Sequence, residues 1–156
     1  MPAARSDQAA VYRAAPAIAR TLLALGKAAR EAGLDPALLE LLNLRVSQIN
    51  GCAYCLQYHT NELGKLGADP AKLAQVAAWR EAAVFSDEER AALGFAEAAT
   101  RLDAHGVPDA IYEAARQAFG EDRLAALTGA LLAINGWNRV AITYRFAPPA
   151  AEGGAA

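Results

Sequence analysis

The sequence is poor in cysteine, in net charge and in long apolar runs. Its two cysteines, among 156 residues, cannot form the disulfide framework that holds small secreted folds together. A formal net charge of −2 argues against nucleic acid or an anionic membrane surface as a partner. A long and largely apolar uncharged stretch, residues 124–138, is shorter than the roughly 18 residues of a membrane span. It also contains Thr128, Asn135 and Asn138, and it therefore predicts a buried helix.

The N-terminal residues MPAARSDQAA lack the apolar core of a secretory signal. This absence predicts a cytoplasmic protein. In a chain without an export signal, two cysteines separated by only two residues indicate redox or metal chemistry rather than structural cross-linking. The pair formed by Cys52 and Cys55 is therefore the feature on which a functional interpretation depends.

The composition and the residues that start and end helices predict an all-α fold, a compact bundle of about six to seven helices. Hydrophobic residues make up 54 % of the chain; Ala and Leu are prominent and β-branched residues are sparse, a balance that favours helix. Asp-Pro pairs, a Ser-x-x-Glu capping box and glycines mark the helix ends. The predicted segments are residues 8–32 with a start or kink at Pro16, 36–50, 52–67, 70–79, 87–102, 108–120 and 121–144.

Residues 8–145 are expected to form a single domain, because the connections between its helical segments are short. Residues 1–7 are expected to be a flexible N terminus. Residues 146–156, which end in APPAAEGGAA, are expected to be a disordered tail because they have little to bury.

The candidate reactive residues lie in one short segment. On a helix Cys52 and Cys55 are spaced i and i+3, and His59 follows Cys55 at i+4, so all three share a face. A break at residues 50–51 puts Cys52 in the first turn, where free backbone N–H groups and the helix dipole stabilise a thiolate. His59 can act as a base toward the Cys55 thiol. Glu40, on the preceding helix, is a candidate to orient the imidazole.

Two other interpretations of the cysteines remain open on these grounds. Structural zinc needs four ligands, and only His59 and the distant His105 are available to join the pair, so no metal is expected. Two inert cysteines buried on a helix face are the other alternative. Glu40 taken alone is more simply explained as a solvated helix residue.

The spacing of these residues resembles a known family. Glu40, eleven intervening residues, Cys52-Ala-Tyr-Cys55, three residues and His59 are similar to the active-site pattern of AhpD-like alkylhydroperoxidases, in the carboxymuconolactone decarboxylase superfamily. The segments 49–55 and 133–140 also resemble that group, and the resemblance extends over about residues 34–144. It implies that residues 8–145 are an AhpD-like helical domain that forms a homo-oligomer, a trimer or a hexamer.

The resemblance also implies an activity, thiol-dependent reduction of peroxides through a CxxC dithiol/disulfide cycle. The helix start favours Cys52 as the nucleophile and the i+4 histidine favours Cys55; the resemblance assigns peroxide attack to Cys55. It implies that Cys52, the more exposed cysteine, resolves the sulfenic acid as a disulfide, that His59 relays protons, and that Glu40 orients His59. The implied partners are a small-molecule hydroperoxide and an external thiol, including a lipoyl- or thioredoxin-type protein. No cofactor is expected.

One position departs from the family pattern. The best-understood members carry a second histidine where this chain has Tyr54, and a tyrosine cannot relay a proton near neutral pH as histidine does. This predicts weaker turnover, or a different substrate and reductant. A disulfide reductase or redox sensor and, in another class, a metal-binding helical scaffold remain alternative functions. Lactone decarboxylation is not implied, because that branch of the superfamily lacks the cysteine motif.

Overall fold

The computed structural model describes residues 3–152, and this part of the chain is helical with no β-sheet. Seven α-helices and one 3₁₀ turn account for its regular structure, so the all-α prediction is confirmed. In chain order they are α1 (Gln8–Ala14), α2 (Pro16–Glu31), α3 (Pro36–Asn50), α4 (Ala53–Lys65), α5 (Pro70–Ala74), the 3₁₀ turn Val76–Ala78, α6 (Asp87–Thr100) and α7 (Asp109–Tyr144).

The helix starts follow from local capping chemistry. The Asp35 carboxylate accepts hydrogen bonds from two backbone N–H groups of the first turn of α3, and Asp69 accepts one at the start of α5. Ser86 and Glu89 form the reciprocal capping box that opens α6. Each cap satisfies N–H groups that have no partner within the helix. These starts were predictable because the capping residues are adjacent in sequence to the groups they satisfy.

Two breaks interrupt the helices at positions that the sequence predicts. Pro16 separates α1 from α2, and Ala15 before it has φ −138° and ψ 66°, because proline disfavours a helical residue ahead of it. Gly120, with φ 70° and ψ 173°, has a non-helical backbone and divides α7 at a kink into two helical segments, at the boundary predicted between residues 108–120 and 121–144. Within residues 3–152, none of the helices, α7 included, combines the length and apolar character needed to cross a bilayer.

Helix α3 lies at the centre of the core. It packs against α4, α6 and α7, and α7 also packs along α2 and α6. Burial of a leucine side chain stabilises the folded state by about 1.5–3 kcal/mol, so α3 is firmly held. It therefore provides a rigid base for α4, which lies beside it and carries both cysteines. The buried apolar residues of α3 are Leu38, Leu39, Leu41, Leu42, Leu44 and Val46.

The two ends of the chain are attached to the helices. The backbone N–H of Arg5 donates to the carbonyl of Tyr144 at 3.0 Å. The Phe146 ring is buried, and the Asn61 side chain of α4 donates to the carbonyl of Ala150 and accepts from the backbone N–H of Glu152. The ends thus differ from the flexible terminus and disordered tail expected from sequence, because Phe146 and Asn61 supply packing and hydrogen bonds. Residues 1–2 and 153–156 of those segments lie outside the described residues.

Candidate active site

The cysteine pair lies at the start of α4 and is disulfide-bonded. Gly51 ends α3 with φ 70°, a left-handed conformation that suits glycine. The chain then turns so that the Cys52 N–H donates to the carbonyl of Ser47 at 3.0 Å. Cys52 is the N-cap of α4, and its Sγ accepts a hydrogen bond from the Cys55 N–H at 3.3 Å. The two Cα atoms are 5.3 Å apart, within the range that a disulfide requires.

His59 and Glu40 meet across the interface between α4 and α3. The distance from His59 Nδ1 to Glu40 Oε2 is 2.6 Å, and Asn43 donates to the other Glu40 oxygen at 3.4 Å. His59 is 8 % exposed. Because an ionised carboxylate only accepts, Nδ1 carries the hydrogen of this bond. The contact therefore leaves Nε2 as the ring nitrogen that can exchange a proton.

A cavity of about 220 Å³ lies against Cys55 and His59. We name it the Cys55 cavity. Most of its remaining wall is aromatic or aliphatic, and none of its lining residues is Asp, Glu, Lys or Arg. The cavity is suited to an uncharged molecule that has an apolar part. Its other lining residues are Gln8, Tyr12, Ala19, Leu23, Tyr54, Tyr58, Trp137, Ala141 and Phe146.

A second cavity, of about 490 Å³, lies on the other side of the disulfide. We name it the Cys52 cavity, because Cys52 lines it and Cys55 does not. Tyr54, Ala141 and Phe146 line both cavities and thus form the wall between them. Each cysteine of the pair therefore lies beside a different cavity.

Both cysteines are buried in this disulfide-bonded form. Cys52 is 1 % exposed and Cys55 is 3 % exposed, because Ala141 and Phe146 pack against the pair. The resemblance implies a more exposed Cys52, and the structure differs on this point. Neither cysteine is open to bulk solvent in this form.

Tyr54 connects α4 to the N-terminal helix. Its hydroxyl donates to Gln8 Oε1 at 3.2 Å, and Gln8 Nε2 donates to the Tyr12 hydroxyl at 3.0 Å. The Tyr54 ring also stacks on Tyr58, with 6.3 Å between ring centroids. Burial raises the pKa of both Tyr12 and Tyr58 above the usual value, so these phenols stay protonated at neutral pH. Tyr54 therefore attaches α1 to the wall of the Cys55 cavity.

Gln8 and Tyr12 belong to the site but were not identifiable from sequence. They lie more than forty positions before Cys55, and no local spacing connects them to it. His105, in contrast, lies in an exposed turn, where its N–H donates to Asp103. Within residues 3–152, no group of three or more His, Cys, Asp and Glu side chains is arranged to hold a metal ion.

The segment that contains the candidate site residues matches a known protein family. The sequence model of the carboxymuconolactone decarboxylase family matches residues 7–98, which include Glu40, both cysteines and His59. The chain belongs to the carboxymuconolactone decarboxylase family. The recognition of an AhpD-like member of this superfamily from the sequence is thereby confirmed.

Two relatives are similar to this chain in sequence, one over most of its length and the other over about half of it. The uncharacterised protein YdfG of Bacillus subtilis is 32 % identical over 137 residues, which are 88 % of this chain and 93 % of YdfG. The uncharacterised protein YnjA of Escherichia coli is 36 % identical over 92 residues, 51 % of this chain and 50 % of YnjA.

Two crystal structures share its fold. One is a protein of unknown function from Agrobacterium tumefaciens, proposed to be the antioxidant defence protein AhpD. It has a TM-score of 0.86 and 32 % identity, over 95 % of this chain and 99 % of that one. The other, an uncharacterised peroxidase-related protein from Silicibacter, has a TM-score of 0.67 and 28 % identity, over 75 % of this chain and 61 % of that one. The family member thus has an AhpD-like fold.

Proposed function

We propose that this family member is a thiol-dependent peroxidase that works through a Cys52–Cys55 dithiol/disulfide cycle. The observation that carries the proposal is the position of Cys55 and of the Glu40-paired His59 on the wall of one uncharged cavity. The disulfide between the cysteines is the oxidised product of such a cycle. The names of the Agrobacterium and Silicibacter proteins, one tied to antioxidant defence and one to peroxidases, support the same assignment.

The cycle oxidises two thiols and reduces one peroxide. The Cys55 thiolate attacks one peroxide oxygen, the O–O bond breaks, and the other oxygen leaves as an alcohol after taking a proton. Cys55 is then a sulfenic acid. The Cys52 thiol attacks the Cys55 sulfur and gives up its proton to the departing hydroxide, so that water leaves and the disulfide forms. The Cα separation of 5.3 Å allows this closure without a large backbone movement.

His59 is proposed to move the protons of the first step. Its Nε2 takes the proton of the Cys55 thiol and returns it to the departing oxygen, acting first as a base and then as an acid. Glu40 holds Nδ1 through the 2.6 Å contact, which fixes the tautomer and orientation of the ring. Glu40 is a positioning residue in this scheme, because it acts through the imidazole.

The Cys55 cavity favours an organic hydroperoxide as substrate. Its lining includes the rings of Tyr12, Tyr54, Tyr58 and Trp137 and no Asp, Glu, Lys or Arg side chain. An aromatic wall gains free energy by covering apolar surface. A compact, uncharged hydroperoxide therefore fits better than an anionic one.

We extend the proposal to assembly and location. Several large apolar side chains are strongly exposed, with Leu23 at 61 %, Leu102 at 65 % and Leu132 at 61 %. Exposed apolar patches favour association, and most soluble oligomers are symmetric assemblies of identical chains. This supports a homo-oligomer. We propose that it is a trimer or hexamer in the cytoplasm, and that a lipoyl- or thioredoxin-type protein reduces it.

The test is the consumption of cumene hydroperoxide by the purified protein with dithiothreitol as reductant. We expect Cys55→Ser and Cys52→Ser to lose turnover, with a sulfenic acid on Cys55 trapped by dimedone only in the second variant. His59→Ala is expected to be slower by about a hundredfold or more, the usual contribution of a general base. His105→Ala is the matched control, because His105 is exposed and lines neither cavity. Retained turnover in Cys55→Ser would refute the assignment.

A disulfide reductase or redox sensor is the alternative that uses the same cysteine pair. The two functions differ in which oxidant reacts faster with the reduced protein. A peroxidase is oxidised faster by cumene hydroperoxide than by oxidised glutathione, and a reductase shows the reverse order. The reduction potential of the cysteine pair, compared with those of known dithiol proteins, is a second measurement that bears on this choice.

A further inference from the structure

The Gln8 side chain joins two phenols at the wall of the Cys55 cavity. Its Nε2 donates to the Tyr12 hydroxyl at 3.0 Å, and its Oε1 accepts from the Tyr54 hydroxyl at 3.2 Å. An amide nitrogen only donates and an amide oxygen only accepts. The hydrogen bonds therefore run in one direction, from Tyr54 through Gln8 to Tyr12, and all three residues line the cavity.

This chain of hydrogen bonds ends on a donor that is not used. The bond that Tyr12 Oη accepts is the only hydrogen bond of this hydroxyl among residues 3–152. Because the Gln8 N–H occupies one side of the oxygen, the hydrogen of Tyr12 points away from Gln8. Hydrogen bonds in a chain polarise one another, so this O–H is a stronger donor than that of an isolated phenol. Burial raises the pKa of Tyr12 above its usual value, and the phenol keeps its proton at neutral pH.

The Tyr12 ring lies close to the reactive cysteine. It packs against the buried cluster that contains both cysteines, and it meets the Trp137 ring edge-on with 5.5 Å between the centroids. In a cavity of about 220 Å³, one small molecule contacts both Tyr12 and Cys55. Tyr58 lines the same cavity, but it is 43 % exposed, so water can satisfy its hydroxyl. Tyr12 is therefore the phenol best placed to donate to a bound molecule.

We propose that the Tyr12 hydroxyl donates a hydrogen bond to the departing oxygen of the hydroperoxide and stabilises it as the O–O bond breaks. The inference rests on the proposed function and adds a catalytic residue from α1, outside the segment 40–59. As the Cys55 sulfur bonds to one oxygen, the other takes the electron pair of the O–O bond and gains negative charge. A donor at that oxygen stabilises the transition state more than the substrate. Tyr12 keeps its own proton, and His59 supplies the proton that completes the alcohol.

Two reagents for the same thiol test the proposal on the full chain. The Cys52→Ser variant leaves Cys55 as the one thiol, and its loss is followed in time with excess cumene hydroperoxide or excess iodomethane. Iodomethane alkylates a thiolate but has no oxygen that accepts a hydrogen bond. We expect Tyr12→Phe to slow the reaction with cumene hydroperoxide about tenfold, between the effect of an ordinary hydrogen bond and that of an oxyanion-hole donor. We expect the reaction with iodomethane to keep its rate.

Other tyrosines provide the control and the competing assignment. Tyr112→Phe removes an exposed hydroxyl outside both cavities and is expected to leave both rates unchanged. An unchanged rate with cumene hydroperoxide in Tyr12→Phe overturns the proposal. So does an equal slowing with both reagents, because that result indicates lost packing around Cys55. Slowing by Tyr54→Phe but not by Tyr12→Phe also overturns it, since the unused O–H would then belong to Tyr54.

Gln8 is a positioning residue in this proposal, because it acts through Tyr12. Gln8→Leu is expected to slow the reaction with cumene hydroperoxide less than Tyr12→Phe does, and to leave the reaction with iodomethane unchanged. In a protein that already carries Tyr12→Phe, Gln8→Leu is expected to cause no further slowing. A full additional loss in the double variant would contradict the role of Gln8.

One further comparison separates this inference from the proposed function. The rate constant of the Cys52→Ser protein with cumene hydroperoxide is measured beside that of free cysteine at the same pH. If the protein reacts no faster than free cysteine, the peroxidase proposal is wrong and the role of Tyr12 is wrong with it. If the protein reacts faster and Tyr12→Phe reacts equally fast, only the role of Tyr12 is wrong and the peroxidase proposal stands.

Discussion

Asn138 Nδ2 donates a hydrogen bond of 3.0 Å to Ser47 Oγ between α7 and α3. Both residues are completely buried. Asn138 Oδ1 also accepts from the Asn50 side chain at 2.9 Å, and the Ser47 carbonyl accepts from the N–H of Cys52. This network ties α7 to the turn that carries the disulfide. Asn138 thus contributes to the position of Cys52 without touching it.

Asn138→Ala is expected to loosen this turn and destabilise the fold. The change leaves the buried Ser47 hydroxyl without its partner, at a cost of about 1–3 kcal/mol, whereas the Asn50 side chain keeps its bond to Asn135. A less ordered turn brings the two thiols together less often, so the reduction potential should become less negative, by about 30 mV for a tenfold loss in the equilibrium constant. Urea unfolding and redox titration measure the two effects.

Thr128→Ala is the control for Asn138→Ala. Thr128 lies on the same helix, and its hydroxyl donates only to the carbonyl of Leu124, one turn earlier. This variant should leave the reduction potential unchanged. An unchanged urea midpoint and potential in Asn138→Ala would show that the network has no bearing on Cys52.

Tyr54→Phe is expected to weaken the attachment of α1 to the rest of the protein and to leave the reaction with peroxide unchanged. It removes the hydroxyl that donates to Gln8, a loss of about 1 kcal/mol for a neutral hydrogen bond. The backbone amides of α1 should then exchange with solvent about fivefold faster, since this helix has no buried residue to hold it. Hydrogen–deuterium exchange measures this effect.

The same variant separates anchoring from proton transfer. Oxidation of Cys55 by cumene hydroperoxide in Tyr54→Phe should proceed at nearly the original rate, because His59 is the proposed proton carrier. Tyr112→Phe, at an exposed tyrosine outside both cavities, should leave exchange in α1 unaltered. A large loss of peroxide reactivity in Tyr54→Phe would instead assign the Tyr54 hydroxyl a catalytic role.

The buried Glu97 should make stability depend on pH in acid. Burial pushes its pKa upward, but hydrogen bonds from Trp79, Arg45 and Arg80 outweigh burial and hold the pKa below the usual value. Because the folded pKa is depressed, this stabilisation is fully present above the unfolded pKa of about 4.3. It is lost as the pH falls through the folded pKa. The free energy of unfolding, measured in urea between pH 7 and pH 3, should therefore decrease as the pH falls below about 4.3.

Glu97→Gln should make the free energy of unfolding less dependent on pH in acid, and it should lower that free energy at neutral pH. Removing one partner of a buried ion pair costs about 3–5 kcal/mol, and Arg45 is only 8 % exposed. Glu113→Gln is the control, since Glu113 pairs with Arg116 at the surface and surface pairs contribute about 0–1 kcal/mol. If Glu97→Gln retained the acid dependence of the original chain, other carboxylates would be its source.

Features with local causes could be predicted from the sequence. The starts of α3 and α6 follow from Asp35 and Ser86, whose side chains bond N–H groups within three residues. The shared face of Cys55 and His59 follows from helical spacing alone. The contact between Glu40 and His59 needed more than spacing, because it requires two helices to pack in a particular register.

Features with distant causes could not be predicted. Gln8 and Tyr12 reach the Cys55 cavity only because α1 folds back over α4 and α7. Phe146 looks like part of an unstructured tail in sequence, yet its ring covers the disulfide. In each case a contact with a residue distant in sequence determines the position of the side chain, and no residue nearby in sequence indicates that contact.

The bond between the N–H of Arg5 and the carbonyl of Tyr144 bears on how the protein is prepared. It brings the N-terminal segment to the rim of the Cys52 cavity, which Ala4 lines together with Ala147 and Pro148. An N-terminal affinity tag is therefore joined to the chain only a few residues before Ala4, which lines the cavity beside Cys52. Tagged and tag-cleaved preparations should be compared before any reductant kinetics are interpreted, and an internal labelling position away from this rim is preferable to either terminus.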